Sequence, residues 1–356
     1  MGVLGCAERY QAIIHYQGGS VAFYEIPQQQ IVELTWQRTL DNTSVATVKL
    51  ARQGMGVDCC AKIGELDAWG FELSLYRDGD LVWQGPLYDI LEDPYNIYLE
   101  ARDVIGYLDH RANEFAWSFV NIDVANVAFL IMDETFTVHD PNVFPYIDVQ
   151  LTGTLIDWAV DAKSVYIGDE LRDLAKIGFD FTTMGRSIIG RPERTASQYT
   201  TKAPVLTQSH FAGTLQIRRP GSETVTRATV IGDAITYTTA DPPVDSFYGL
   251  VDVIEKADRV TDIAVITKMG DQLLADGYPT PTYIVLPPEA RLLPSAPITV
   301  KQLMPSERID VYLSEGFCRT VRQSFKLLQV NGRWISGGDQ GSGGETISIS
   351  LGQLPG

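Results

Sequence analysis

The stretch "DETFTVHD" brings Asp133, Glu134, His139 and Asp140 close together in the chain. Carboxylates and an imidazole at such spacing could gather round a divalent cation. The same residues read more simply as a solvated helix end followed by a turn, and that reading is adopted. "LDHR" sets Asp109, His110 and Arg111 in succession, but neighbours on a helix point in different directions, so they mark a charged helix end. The four histidines, His15, His110, His139 and His210, are far apart, and none sits in an H-E-x-x-H pattern. A cell-wall hydrolase would need a paired acid and base, a Cys-His couple or a zinc set. "GDQGSGGE" is rich in glycine, yet it has no lysine and no following helix to cradle a phosphate. Cys6, Cys59, Cys60 and Cys318 are too few and too scattered for a disulfide framework or a paired C-x-x-C zinc site, and all four are read as reduced. No catalytic residue, no metal ligand and no cofactor site is therefore assigned, and the chain is read as not an enzyme.

Composition narrows the partners. The 356 residues carry 28 basic and 45 acidic side chains, a formal charge of -17. Such a surface repels phosphate backbones and anionic lipid, which argues against a nucleic-acid reader and against stable membrane insertion. Hydrophobic residues at 45% and charged residues at 21% are those of a globular chain with cores to pack. No apolar run reaches the roughly 20 residues of a membrane-spanning helix, and "MGVLGCAERYQ" lacks the basic start and apolar core of a secretion signal. A soluble chain made in the cytoplasm is expected, of two or three domains.

The elements that would position any site are mostly strands, so the expected class is α+β, mainly β. "VELTWQRTLDNTSVATVKLA" alternates apolar and polar residues on both sides of Asp41 and Asn42, a hairpin. "FELSLYRDGDLVWQG" repeats the pattern about Asp78 and Gly79, and "PLYDILEDPYNIYLEARD" adds two strands about residues 93–96. Between these, "LVWQGPLYDI" sets Trp83, Gly85, Pro86 and Tyr88 inside the strand pattern. Proline cannot donate to a ladder and glycine weakens one, so the pair predicts a bend or bulge with the aromatics packed across it. "VIGYLDHR" closes this first part with a short helix.

Farther on, "IDVANVAFLIMDETF" reads as a helix with Asp123 as its N-cap. "GDELRDLAKIG" reads as a second, capped by Asp169 and stopped by Gly178. "FDFTTMGRSIIG" predicts two short strands about Met184 and Gly185. "TLQIRRPGSETVTRATVIGD" predicts strands with a turn at Pro220 and Gly221, and "VTDIAVITKMGDQLLADG" a helix with Asp262 near its start and Gly277 past its end. The remainder returns to strands, with "SGGDQGSGGE" as a Gly- and Ser-rich loop.

In order along the chain, "LTWQRTLDNTSVATVKL", "CCAKIGELDAWGFELSLYRDGDLVWQGPL", "LEARDVIGYLDHR", "LRDLAKIGFDFTTMGRSIIG", "SAPITVKQLMPSERIDVYL" and "CRTVRQSFKLLQV" resemble the minor tail proteins of long-tailed bacteriophages, of the baseplate-hub or tail-associated type. The resemblance implies two β domains like the tail-tube subunit, 1–111 and 196–257 with 295–356, and a peripheral α/β domain, 112–195 with 258–294. It implies a homotrimer in the virion, at the tail tip, whose six similar units meet a sixfold tube above and threefold structures below. Expected partners are the distal tail protein ring, the C-terminus of the tape measure protein, and other minor tail proteins or a central fibre. DNA would pass through the ring without specific binding, along a wall where acids outnumber bases, with Arg218 and Arg219 turned away from it. The alternatives are a hexameric distal tail ring protein, a tail-associated hydrolase, and a carbohydrate-binding β protein that stacks sugars on Trp36, Trp69, Trp83, Trp117, Trp158 or Trp334.

Overall fold

The computed structural model describes the chain apart from residues 1, 20, 54, 140–142, 144, 194–202, 233, 241–246, 258–262, 338–343 and 354–356; of residues 138, 139, 265 and 353 it describes the backbone alone. The class is α+β, mainly β. Among the described residues no helix is long and apolar enough to cross a membrane.

The first third is β1 (Tyr10–Tyr16), β2 (Ala22–Ile26), β3 (Ile31–Thr39), β4 (Val45–Ala51), helix α1 (Val57–Gly64), β5 (Phe71–Arg77), β6 (Asp80–Glu92), β7 (Asn96–Arg102) and the short helix α2 (Ile105–Leu108). Both expected hairpins form. Asp41 stands at φ 56° in the β3–β4 turn, and Asp78 and Gly79 at φ 52° and 87° in the β5–β6 turn, the left-handed pair that matches the twist of the strands. Alternation buries Leu34, Trp36, Ala46, Val48, Leu50, Ile97 and Leu99 on one face.

The Gly85–Pro86 step does not divide two strands. β6 runs through it unbroken and changes partner there: Leu73 faces Gly85 and Glu72 faces Pro86 on β5, and from Leu87 onward the strand pairs with β7. The register shift falls just after, between Leu87 and Asp89. Gly85 is required by closeness, since a Cβ there would lie 2.7 Å from both the Arg102 carbonyl carbon and the Asp103 Cα. Pro86, which has no N–H to offer, sits where the strand leaves one ladder for another. The aromatics part company: Trp83 is buried in the core, while Tyr88 lies under the Arg102 guanidinium at 3.5 Å and against Trp69.

An α/β module follows: β8 (Trp117–Asp123), α3 (Val124–Glu134), β9 (Tyr146–Val149), β10 (Leu155–Val160), α4 (Ile167–Ala175), β11 (Phe179–Met184) and β12 (Ser187–Pro192). β8 pairs antiparallel with β10, β11 with β12, and β12 parallel with β9. Asp123 caps α3 as expected, accepting from Ala125 N at 2.9 Å. Helix α4 begins earlier than expected: Tyr166 holds its cap position without a side-chain bond, and Asp169 lies in the first turn, where its charge suits the helix dipole. Val124, Val127, Ile131, Leu171, Leu174, Phe179 and Phe181 form one core with α2.

By contacts the chain divides into two units, residues 1–214 with 287–312 and 324–356, and residues 215–286 with 313–323. After β13 (Val205–Thr207), the second unit holds β14 (Gln216–Arg218), β15 (Arg227–Ile231), β16 (Thr236–Ala240), β17 (Asp252–Lys256), α5 (Ile263–Gly277) and β18 (Tyr283–Val285). The strands flanking Pro220 and Gly221 are not hairpin partners. β14 pairs with β18, and β15 pairs with β16 and, in parallel, with β17. One 3-10 turn at Gly221–Glu223 separates them. Gly277 is the last residue of α5, and Asp262 lies outside the described residues. The boundary expected between 257 and 258 falls inside this unit.

The C-terminal part is β19 (Ala290–Leu292), β20 (Arg308–Leu313), β21 (Val321–Ile335) and β22 (Gly344–Gln353). β21 pairs antiparallel with both β22 and β3, so the C-terminal strands continue the N-terminal sheet in the order β13-β20-β21-β3-β4-β7-β6-β5-β1-β2. Gly332 makes this junction possible, because a Cβ there would fall on the Trp36 indole.

Candidate functional site

The register of this sheet sets outward side chains in rows across β7, β4, β3, β21 and β22. One row is Ser348, Asn331 and Gln37; the next is Thr346, Arg333, Thr35, Thr47 and Glu100; a third is Ile335, Glu33, Lys49 and Tyr98. Several of the side chains are bonded to each other, within a row or from one row to the next. The Thr35 and Thr47 hydroxyls share a bond of 2.6 Å, Gln329 donates to Gln37 at 3.0 Å, and Arg333 Nε donates to Glu33 at 2.7 Å. Lys49 stands 5.4 Å above the Tyr98 ring. An open groove of about 550 Å³ runs over this face, floored by Thr35, Gln37, Asn331, Arg333, Thr346 and Ser348. The face is made of hydroxyls and amides with charges of both signs, and it has no acidic excess.

A second constellation fastens the α/β module to the sheet. The Asp41 carboxylate accepts from Phe181 N at 2.8 Å, and Asp41 N donates to Phe181 O at 2.8 Å, so the β3–β4 turn pairs with β11. Thr182 donates to Thr39 O at 3.1 Å and Thr183 to Asp103 at 2.7 Å. Asp180 accepts from Lys326 Nζ at 2.7 Å and from Ser306 at 3.0 Å. Arg172 reaches Asp109 at 2.6 Å. Burial pushes Asp41 up to about 7 against the Phe181 bond, with the charges of Asp180 and Glu193 adding to burial and Lys326 opposing it. Burial likewise lifts Asp103 to about 6 against the bonds from Thr183, Ser44 and Ile105.

Beside this lies Glu72, whose side chain is 1% exposed. It accepts from Gly18 N at 3.1 Å, Gln84 at 3.2 Å, Tyr107 at 3.2 Å and Arg186 at 2.5 Å. One carboxylate thus joins β5 to the β1–β2 turn, β6, α2 and the β11–β12 turn.

The residues with chemical potential in the sequence are scattered. Glu134 accepts from Trp117 Nε1 and Asp133 from Thr137; the His139 side chain and Asp140 lie outside the described residues. Asp109 serves Arg172 and Thr43, and His110 packs edge-on against Trp69. His210 Nδ1 accepts from Thr207 N. Among the described residues no three His, Cys, Asp or Glu side chains gather in a metal-ligand cluster. The four cysteines are unbridged. Trp36, Trp83 and Trp117 are buried, and Trp69, Trp158 and Trp334 are partly buried. Arg218 and Arg219 are exposed on the second unit. Both the polar rows and the carboxylate seam escaped sequence reading, because each depends on which strands meet; the alternation of β3 and β21 was the one available sign.

No protein-family model matches the chain, and no curated protein matches it in sequence. Solved structures match its fold. A tail protein of Neisseria meningitidis aligns over 96% of this chain and 96% of its own, at 12% identity and a TM-score of 0.58. The 43 kDa tail protein of prophage MuSo2 from Shewanella oneidensis covers 95% of this chain and 97% of its own, at 13% identity and a TM-score of 0.57. A chain of the Francisella PdpA-VgrG complex covers 98% of this chain and 53% of its own, at 8% identity and a TM-score of 0.53. The chain has the fold of phage tail proteins.

Proposed function

We propose that the chain is a structural hub protein of a phage tail tip, three copies of which form a pseudo-sixfold ring around the DNA exit channel. The observation that supports this most is the β3–β21 pairing. It joins an N-terminal strand set and a C-terminal strand set edge to edge, as neighbouring subunits of a ring would be joined. In this reading β1 to β7 and β13 with β19 to β22 are the two tube-like halves, and the 112–195 module is peripheral. The ring joins the sixfold tube and distal tail ring to the threefold tip, with the tape measure C-terminus and other minor tail proteins or a central fibre as further partners.

The polar rows are assigned to the channel wall. Hydroxyls and amides bonded to each other offer duplex DNA little to hold, and the row cations Arg333 and Lys49 are occupied by Glu33 and Tyr98, which limits the phosphate contacts that create salt-dependent binding. The wall expected from the net charge alone, rich in acids, gives way here to one that is nearly balanced. The role is non-enzymatic. Density of an assembled tail tip tests the proposal: three copies per ring, with the rows facing the lumen, are expected, and six copies per ring, or rows facing outward, would refute it.

A further inference from the structure

Two parts of the sheet, far apart in sequence, are built alike. In each, a 3-10 turn, Gln28–Gln30 or Gln208–His210, leads into a buried extended residue, Ile31 or Phe211, that pairs with a leucine, Leu50 or Leu292. The strand holding that leucine pairs onward, β4 with β7 and β19 with β22. The long strands match as well. β6 adjoins β5 and β21 adjoins β20, and each shifts register at one residue, Tyr88 or Leu328. Just before the shift, Leu87 O accepts from Trp69 N and Leu327 O from Ser306 N, both at 2.8 Å. Trp69 and Ser306 both hold left-handed backbone, at φ 66° and 78°.

The two parts differ at one edge. Past its shift, β21 has β3 as a neighbour: Leu40 N donates to Leu328 O at 2.8 Å, and Gln329–Ile335 pair with Thr39–Glu33. Past Tyr88, β6 pairs with β7 alone among the described residues. Asp93 N bonds Asn96 O, and bonded pairs alternate along an antiparallel ladder, so the peptide groups of Ile90 and Glu92 face outward. Such an edge is a template for a further strand.

We propose that this edge of β6 receives β14 of a second copy of the chain, in the register in which β21 receives β3. The contact rests on the ring reading above and is the one that closes the ring. The strand corresponding to β3 begins at Phe211. β3 carries one extra residue, Val32, at its register shift, whereas Ala212 N bonds Arg291 O directly after the Phe211–Leu292 bridge. Counted along the chain from there, Gln37, Arg38, Thr39 and Leu40 correspond to Gln216, Ile217, Arg218 and Arg219. Ile217 then lies opposite Ile90, as Arg38 lies opposite Val330. Arg218 lies opposite Asp89, Gln216 opposite Leu91, and Arg219 N meets Tyr88 O.

These partners suit one another. Ile90 and Ile217 are both partly buried, and exposed Asp89 meets exposed Arg218, an opposite-charge pair that stabilises adjacent strands. β14 is open on the required side. Among the described residues it pairs with β18 alone. Ile284 N bonds the Gln323 side chain, so Ile217 and Ile284 do not exchange backbone bonds, and the Ile217 peptide groups point away from β18. The two surfaces are different, so the contact is head-to-tail and makes a ring when the rotation closes.

Disulfide cross-linking tests the register. Facing residues that exchange no backbone bonds have the closest side chains, within disulfide reach, and Leu91 and Gln216 form such a pair. The full chain carries Leu91→Cys and Gln216→Cys, with Cys6→Ser and Cys318→Ser to remove the exposed native thiols. Assembled into tail tips, oxidised and run without reductant, it should give a covalent trimer. Leu91→Cys with Arg219→Cys, three residues farther along, should stay monomeric. Asp89→Arg alone and Arg218→Asp alone should each weaken assembly, and the two together should restore it. Tips with three copies per ring that give neither the Leu91–Gln216 cross-link nor the rescue would overturn the contact and leave the ring reading standing. A cross-linked ladder that runs to six supports the contact and overturns the count of three. If the cysteine variants fail to assemble, the charge swap alone decides.

Discussion

Replacing Glu72 with Gln removes one charge and keeps the side chain's shape, and the structure sets what that costs. The carboxylate receives hydrogen bonds from Gly18, Gln84, Tyr107 and Arg186. An amide has one acceptor oxygen in place of two, and its NH₂ would point at donors. The Arg186 side chain is 20% exposed, so its charge is left mostly desolvated but not entirely. Removing one partner of a buried pair costs about 3–5 kcal/mol, and the partial exposure of Arg186 puts Glu72→Gln near about 3 kcal/mol. For a domain of this size that amounts to roughly 6 °C in melting temperature. Differential scanning calorimetry on the wild type, Glu72→Gln, Arg186→Met and the double variant gives the coupling directly. The double variant should be more stable than the sum of the single losses implies, by at least ~1 kcal/mol. A Glu72→Gln loss below ~1 kcal/mol, or strict additivity, would refute the idea that this carboxylate ties the turns together.

Gly85→Ala should cost about 3 kcal/mol or more, because the new methyl meets backbone of Arg102 and Asp103 that cannot rotate away; chemical denaturation measures it, and a near-neutral result would mean that β6 is free to shift at its change of partner. Glu33→Ala removes the carboxylate that holds Arg333 at 2.7 Å, and assembled rings carrying it should hold duplex DNA more strongly, with a salt dependence steeper by up to about one unit per freed arginine that finds a phosphate; unchanged retention would argue against the rows lining the channel.

What was legible in the sequence was local. Asp41, Asp78 and Gly79 announced their turns because left-handed backbone selects few residues, and Asp123 announced α3 because a cap is a bond between near neighbours. The strands β8 and β10 were missed for the opposite reason. "WSFVNID" and "LIDWAV" put Val120 and Leu155 in solvent at 76% and 58% exposure, so their alternation of apolar and polar residues is too weak to read. The turn expected at Pro220 and Gly221 forms, but the strands on either side of it go to other partners, β14 to β18 and β15 to β16 and, in parallel, to β17. Turn chemistry fixes where a chain reverses and says nothing about which strand it then meets.

The same limit keeps net charge from describing any one face. A net charge of -17 sums over the whole chain, and many of the acids counted in it do structural work: Glu72, Asp103, Asp109, Asp123, Asp180 and Glu345 accept bonds from backbone amides, hydroxyls or cations in turns and seams. A carboxylate used in this way is drawn from the count available to repel DNA. The face that β3 and β21 build together is instead rich in threonine, glutamine and asparagine, several of which bond to one another, so on the proposed channel assignment its weak hold on a passing polyanion comes from paired dipoles and occupied cations, with little need for repulsion.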